Sequence, residues 1–98
     1  MLQFLLASFH VTDEAHKPLA EVPITVKWRN QEGKDHEQTA RTSDDGSAIF
    51  PVPQSALPLL PSEGHYEVTH PKGAFASGKV IVGGNQHVHT QEIVLKVA

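Results

Sequence analysis

The residues in this 98-residue chain best suited to chemistry are its histidines. Two of the seven, His87 and His89, stand two apart in "HVHT". On an extended strand, residues i and i+2 project to one face, and two imidazoles so placed can share a zinc or copper ion. A lasting site needs a third and fourth ligand. His65, His70 and Glu92 have the right chemistry, yet nothing in the spacing brings them to the pair. The expectation is a solvated strand face with no bound metal and no cofactor. His10, His16 and His36 lie among polar neighbours and read as exposed. A pH-sensitive surface follows from the histidine content; a pH switch does not.

Asp44 and Asp45 form the second candidate, in "RTSDDGSAIFPV". The spaced oxygen ligands and terminal bidentate glutamate of a calcium-binding EF-hand loop are absent. As adjacent carboxylates on a turn tip they are expected to stay solvated, with near-ordinary pKa values. Asp45-Gly46 instead reads as a hairpin turn, because glycine accepts positive φ and aspartate can bond its own backbone. Ser8, Ser43, Ser47, Ser55, Ser62 and Ser77 occur without a Gly-x-Ser-x-Gly elbow. A sandwich this small seldom supplies the buried base and oxyanion donors that would activate one. No catalytic residue is assigned.

Composition limits what else the chain can be. Its length suits a single domain over residues 1–98, burying roughly two-thirds of the surface its unfolded chain exposes. The apolar fraction of 39% and charged fraction of 19% describe a globular domain. A net charge of −3, with eight Lys and Arg scattered along the sequence, gives no phosphate-binding footprint, so nucleic acid is not an expected partner. With no cysteine, disulfides and thiolate metal sites are excluded and stability must come from packing. "MLQFLLASF" has the apolar flavour of a signal peptide, but it lacks a basic start and a small-residue cleavage site and reads as the first strand. No run approaches the roughly 20 apolar residues of a transmembrane helix, and no membrane insertion is expected.

The elements that would position any site are strands, since the hydrophobic period is two almost throughout. In "EVPITVKWR", Val22, Ile24, Val26 and Trp28 alternate with Pro23, Thr25, Lys27 and Arg29. "LASFHVTD" places Leu5, Ala7, Phe9 and Val11 on one side, while Leu2, Phe4 and Leu6 make its early part apolar on both, which calls for a cover such as a neighbouring domain. The polar link "DEAHKPLAE" allows these two strands to be neighbours. "NQEGKD" is a hairpin connection leading to "HEQTARTS", an edge strand. "SAIFPV" carries Ala48, Phe50 and Val52 inward, and "HYEVTHP" carries Tyr66 and Val68. Trp28, Phe50 and Tyr66 therefore read as core rather than as a carbohydrate-stacking platform.

Four prolines, at positions 51, 53, 58 and 61, make "PVPQSALPLLPSEG" a long crossing loop with at most one helical turn around Ser55 to Leu57. Its Leu57, Leu59 and Leu60 either plug one end of the molecule, the favoured reading, or stand out as a partner-docking knob. "KGAFASG" reads as turn-rich with Phe75 as its anchor. "KVIVGG" then reverses through Gly83-Gly84 and Asn85 into the last strand, where Ile93, Leu95 and Val97 share a face. Val88 and Thr90 have the opposite parity, which calls for a bulge or a twist near Gln91 to restore the register. The count is seven strands with turn signals every ~8–12 residues, the pattern of an antiparallel Greek-key β-sandwich.

The order "KPLAEVPITVKW", "TARTSDDGSAIFPV", "EGHYEVTHPKG" and "VHTQEIVLKV" resembles the carboxypeptidase-regulatory or transthyretin-like β-sandwich family, close to other Ig-like sandwiches. Thr42, Asp45, Gly46, Ala48 and Phe50 fit its Thr-x-x-Asp-Gly-x-Ala-x-Phe motif, and Tyr66 and Val68 fit its later Tyr-x-Val strand. The resemblance implies a non-catalytic accessory module. Such domains are appended to peptidases, surface adhesins, outer-membrane receptors and bacterial type VI secretion spikes, where they help dock cargo effectors, so a secreted, cell-surface or secretion-apparatus setting is implied. The family's enzyme branch, the 5-hydroxyisourate hydrolases, ends in Tyr-Arg-Gly-Ser, whereas this chain ends "VLKVA".

Two functional expectations follow. One is an adaptor that binds a protein partner through Leu57, Leu59 and Leu60 or through the strand edge at residues 36 to 43. The other is a passive spacer whose apolar first strand packs on a parent domain.

Overall fold

The computed structural model describes every residue except 1, 2, 31, 54, 55, 59, 84–89 and 98. Seven strands follow the alternating sequence: β1 (Gln3–Asp13), β2 (Pro23–Arg29), β3 (Asp35–Arg41), β4 (Ser47–Pro53), β5 (Ser62–Thr69), β6 (Phe75–Val82) and β7 (Thr90–Leu95). They form a three-stranded sheet of order β4-β1-β7 and a four-stranded sheet of order β3-β2-β5-β6. Among the described residues there is no α-helix. The expected all-β, seven-stranded, two-sheet architecture is present. One pairing departs from the antiparallel expectation, because β1 and β7 run parallel from Ser8 opposite Thr90 to Asp13 opposite Leu95.

One apolar cluster joins the two sheets. From the three-stranded sheet come Phe9, Val11, Phe50, Val52, Ile93 and Leu95; Val22, Ile24, Val26, Trp28, Tyr66 and Val68 meet them from the other side. Phe9 packs edge-on against Phe50 at 5.6 Å between ring centroids and against Tyr66 of the facing sheet at 5.3 Å. Such offset aromatic pairs contribute beyond their buried area. Trp28, Phe50 and Tyr66 are all core residues, as their parity implies.

The first strand solves its own two-sided apolarity. Leu5 pairs with Pro51 and Ala7 with Phe50, so Leu6 is an extra residue in β1, a β-bulge. The bulge resets the alternation and turns Leu6 and Ala7 both into the core, each 1% exposed, while Leu5 alone faces out. Leu6 thus enters the domain's own interior, while Leu5, with Ile49 and Val94 of the neighbouring strands, stays exposed on the outer face.

Three connections read as links between neighbouring strands instead cross from sheet to sheet. After β1 the chain turns on Asp13, whose carboxylate accepts the N–H groups of Ala15 and Lys17. It touches β1 again where Leu19 N–H donates to the Val11 carbonyl, then leaves through Glu21, a residue at φ 61°, to begin β2 in the opposite sheet. The Asp45-Gly46 turn is present, but β3 and β4 on either side of it belong to different sheets, as do β6 and β7. The β2–β3 and β5–β6 connections are true hairpins.

The β3–β4 crossing is fixed at two residues. Buried Thr42 donates its hydroxyl to the Leu19 carbonyl at 2.6 Å and accepts the Val22 N–H at 2.9 Å, tying the end of β3 to the incoming β2 segment. Gly46, at φ 82°, accepts the Val11 N–H at 2.8 Å and lies so close to β1 that a Cβ there would stand 2.5 Å from the Val11 carbonyl oxygen.

Two stability comparisons check this packing in urea. Leu6→Ala should cost about 2–5 kcal/mol, the usual range for an emptied leucine site, against less than about 1 kcal/mol for Leu5→Ala; equal costs would place the bulge elsewhere. Gly46→Ala should lose at least ~2 kcal/mol, since a backbone clash adds to the left-handed penalty. Gly33→Ala, with φ 78° but open space around it, should lose about 1 kcal/mol.

Candidate interaction surfaces

The proline-rich loop is largely a plug. Ala56 and Pro58 are buried, and Leu57 is partly buried against the core. The loop is pinned by the Trp28 indole, whose Nε1–H donates to the Ala56 carbonyl at 2.8 Å. Leu60 departs from this arrangement: it is 76% exposed, the most exposed of the large apolar side chains among the described residues. Leu59 lies outside the described residues. Leu57 thus takes the anchoring place, while Leu60 stays exposed.

Beside this end runs a shallow groove of about 620 Å³ lined by Lys27, Trp28, Arg29, Asp35, His36, Glu37, Glu63 and His65. His36 stacks on the Trp28 ring at 5.4 Å and 17° and meets the Asn30 amide at 3.1 Å, so it is less free than its polar neighbours suggested. Arg29 pairs with Asp35 at 2.8 Å and Lys79 with Glu63 at 3.4 Å. Exposed pairs of this kind contribute about 0–1 kcal/mol each and mainly order the surface. Among the described residues, no group of three or more His, Asp and Glu is placed to hold a metal. His87 and His89 lie outside the described residues.

Asp45 is spent on its own turn. Asp45 accepts the Ser43 hydroxyl and the Ser47 N–H on one carboxylate oxygen. The Ser43 bond, followed by those from Ser47, holds its carboxyl below the usual aspartate range, against the expectation of an ordinary value. Asp44 stands exposed beside it.

His10 has partners that its sequence neighbours did not reveal. Its Nδ1 lies 2.8 Å from Glu92 Oε2 on β7, and its Nε2 lies 3.0 Å from the Asp45 carbonyl in the β3–β4 turn. A carboxylate and a carbonyl both accept, so the two contacts are made together when the ring is protonated and donates from both nitrogens. The Glu92 hydrogen bond first, with its charge and the Asp45 contacts assisting, raises the His10 pKa above the ordinary 6.5. The signal was available in retrospect, since a histidine on β1 and a glutamate on β7 with the same facing are cross-strand neighbours once the two strands pair.

Two edges of the four-stranded sheet differ. β3 is an edge strand, as expected for residues 36 to 43, but it leans on β4, where Gln38 Nε2–H donates to the Pro51 carbonyl at 3.4 Å. β6 is the other edge, and Phe75, expected to anchor a turn, instead opens this strand and is 60% exposed. An aromatic after a glycine-bearing turn invites an anchor reading. Here the core place is taken by Ala76, next in the alternation, because Ala76 pairs with inward Val68.

No family model matches the chain, and no curated protein matches it closely enough to count as a relative.

Because folding favours the charged form of His10, the stability it contributes is complete below about pH 6.5 and is lost as pH rises through the higher folded value. The unfolding midpoint should therefore fall over this window in the wild type and lose that component in His10→Ala. NMR titration of the His10 ring should give a pKa above 6.5, and an unshifted value would remove the double-donor assignment.

Proposed function

We propose that the chain is a non-catalytic, protein-binding sandwich module of the transthyretin-like or carboxypeptidase-regulatory kind, carried by a larger assembly. The Greek-key reading belongs to the same proposal, supported by successive strands that repeatedly cross between the sheets rather than pairing in sequence order. The observation that carries the binding role is Leu60, a large apolar side chain left in water on a loop whose flanking Ala56 and Pro58 are buried and whose backbone is held by Trp28. An anchored loop presents a hydrophobic contact at low entropic cost, the condition under which one side chain can dominate an interface.

The non-catalytic part of the reading draws on where the reactive groups are spent. Asp45 bonds its own turn, and His10 uses both ring nitrogens to tie three segments together. A partner of bacterial secretion-spike or surface-assembly type is the setting suggested by the sequence resemblance. The passive-spacer alternative draws on the outer face of the three-stranded sheet, where Leu5, Ile49 and Val94 stay exposed although the bulge turns Leu6 inward.

Leu60→Ser should leave the urea midpoint within about 0.5 kcal/mol of wild type, as for most exposed substitutions. It should reduce retention of the natural assembly's neighbouring component, measured by cross-linking and affinity capture, by tenfold or more. Undiminished retention would remove Leu60 as the contact.

A further inference from the structure

The Asp45-Gly46 pair has a covalent chemistry of its own besides its part in the turn. Of the four aspartates and two asparagines in the chain, Asp45 alone is followed by glycine. Glycine has no Cβ, so its nitrogen can approach the preceding side-chain carboxyl with little hindrance. The reaction open to such a pair needs only water. The Gly46 nitrogen bonds to Asp45 Cγ while its proton and the hydroxyl of the protonated carboxyl leave as water, closing a five-membered succinimide ring. Water then opens the ring at the former main-chain carbonyl. The product is isoaspartate, whose backbone runs through Cβ and Cγ and is one atom longer.

The folded turn opposes each step. The nitrogen that must attack is held, since Gly46 is buried and its N–H donates to the Ser43 carbonyl at 2.9 Å. The carbon that must be attacked belongs to a carboxyl with one oxygen bonded to the Ser43 hydroxyl and the Ser47 N–H, and these bonds, the Ser43 one first, favour its ionised form. An ionised carboxylate has no hydroxyl to lose and is a poor acyl acceptor. Ser43 N–H also donates to the Ser47 carbonyl at 2.9 Å, closing the turn at its base. The product is excluded as well. A longer backbone would have to fit where Gly46 already stands against β1, with room for a Cβ only 2.5 Å from the Val11 carbonyl oxygen and 3.1 Å from Pro18 Cβ.

We propose that Asp45-Gly46 is a latent isoaspartate site, kept closed in the folded chain by the turn from Ser43 to Ser47 and opened when that turn is lost. Its effect reaches past the turn. Isomerisation takes the free carboxylate away from Ser43 and Ser47 and turns the main-chain carbonyl that meets His10 into that carboxylate. The added backbone atom displaces the Gly46 carbonyl from the Val11 N–H, which it now accepts at 2.8 Å. The tie between β1 and the start of β4 is therefore the part of the fold that the modification breaks.

The test is ageing at physiological pH and temperature, with isoaspartate at position 45 separated from aspartate by peptide chromatography and confirmed by enzymatic methylation of its carboxyl. Native wild type should form it at least tenfold more slowly than the full chain unfolded in guanidinium. Ser43→Ala should form it several-fold faster than wild type with an unchanged circular dichroism spectrum, whereas Ser43→Thr, which keeps the hydroxyl, should stay slow. Gly33→Ala weakens the hairpin at the far end of β2 and β3 and leaves the turn intact, so it should stay slow too. Equal rates in the native and unfolded chain, or in Ser43→Ala and wild type, would overturn the proposal. So would a Gly33→Ala rate equal to that of Ser43→Ala, since global opening alone would then expose the site.

Discussion

The place where the chain passes from β3 to β4 is the constraint on which the rest of the fold depends. Thr42 holds one side of it with a buried hydroxyl that donates to Leu19 and accepts from Val22. Gly46 holds the other, accepting the Val11 N–H with no room for a side chain against that residue's carbonyl. Four segments meet there: β1, the link from β1 to β2, the end of β3 and the start of β4. Once they are locked, β4 can lie only against β1, and β2 is committed to the facing sheet. Three short hydrogen bonds and one missing methyl group hold these segments together.

His10 extends the same junction to the end of the chain. By donating to the Asp45 carbonyl and to Glu92, it fastens the turn, β1 and β7 with a single ring. The parallel β1–β7 pairing brings no hairpin of its own to hold it, so polar ties across it carry more of its definition. Ser8 and Thr90 contribute another, with their hydroxyls 3.1 Å apart. The acidic turn that looked like a candidate for chemistry is thus part of the scaffold, its carboxylate directed at Ser43 and Ser47.

A core so fully committed leaves function to the outside. The buried cluster takes every aromatic residue but two, Phe75 and the half-buried Phe4. Among the described residues, the large side chains that remain exposed and apolar are Leu60 at the loop end, Phe75 and Ile81 on β6, and Leu5, Ile49 and Val94 on the outer face of the other sheet. The loop end is not remote from β6, since Pro58 stands against Gly83 and Ser62, two residues after Leu60, pairs with Val82.

Much of this was legible in the amino-acid order. Period-two alternation specified the strands and their inward residues, because burial of one face is decided locally by parity: Trp28, Phe50, Tyr66 and Val68 went where the pattern sent them. The turn at Gly46 and the loop enforced by four prolines were equally plain, since backbone dihedrals are local properties. Which strands would pair was not, and the hairpin readings at Asp45-Gly46 and after Val82 gave way to crossings between sheets. Pairing partners are chosen by the sum of distant contacts. For the same reason the bulge at Leu6, the partners of His10 and the exposure of Phe75 emerged only once β1 lay between β4 and β7, and β6 became an edge.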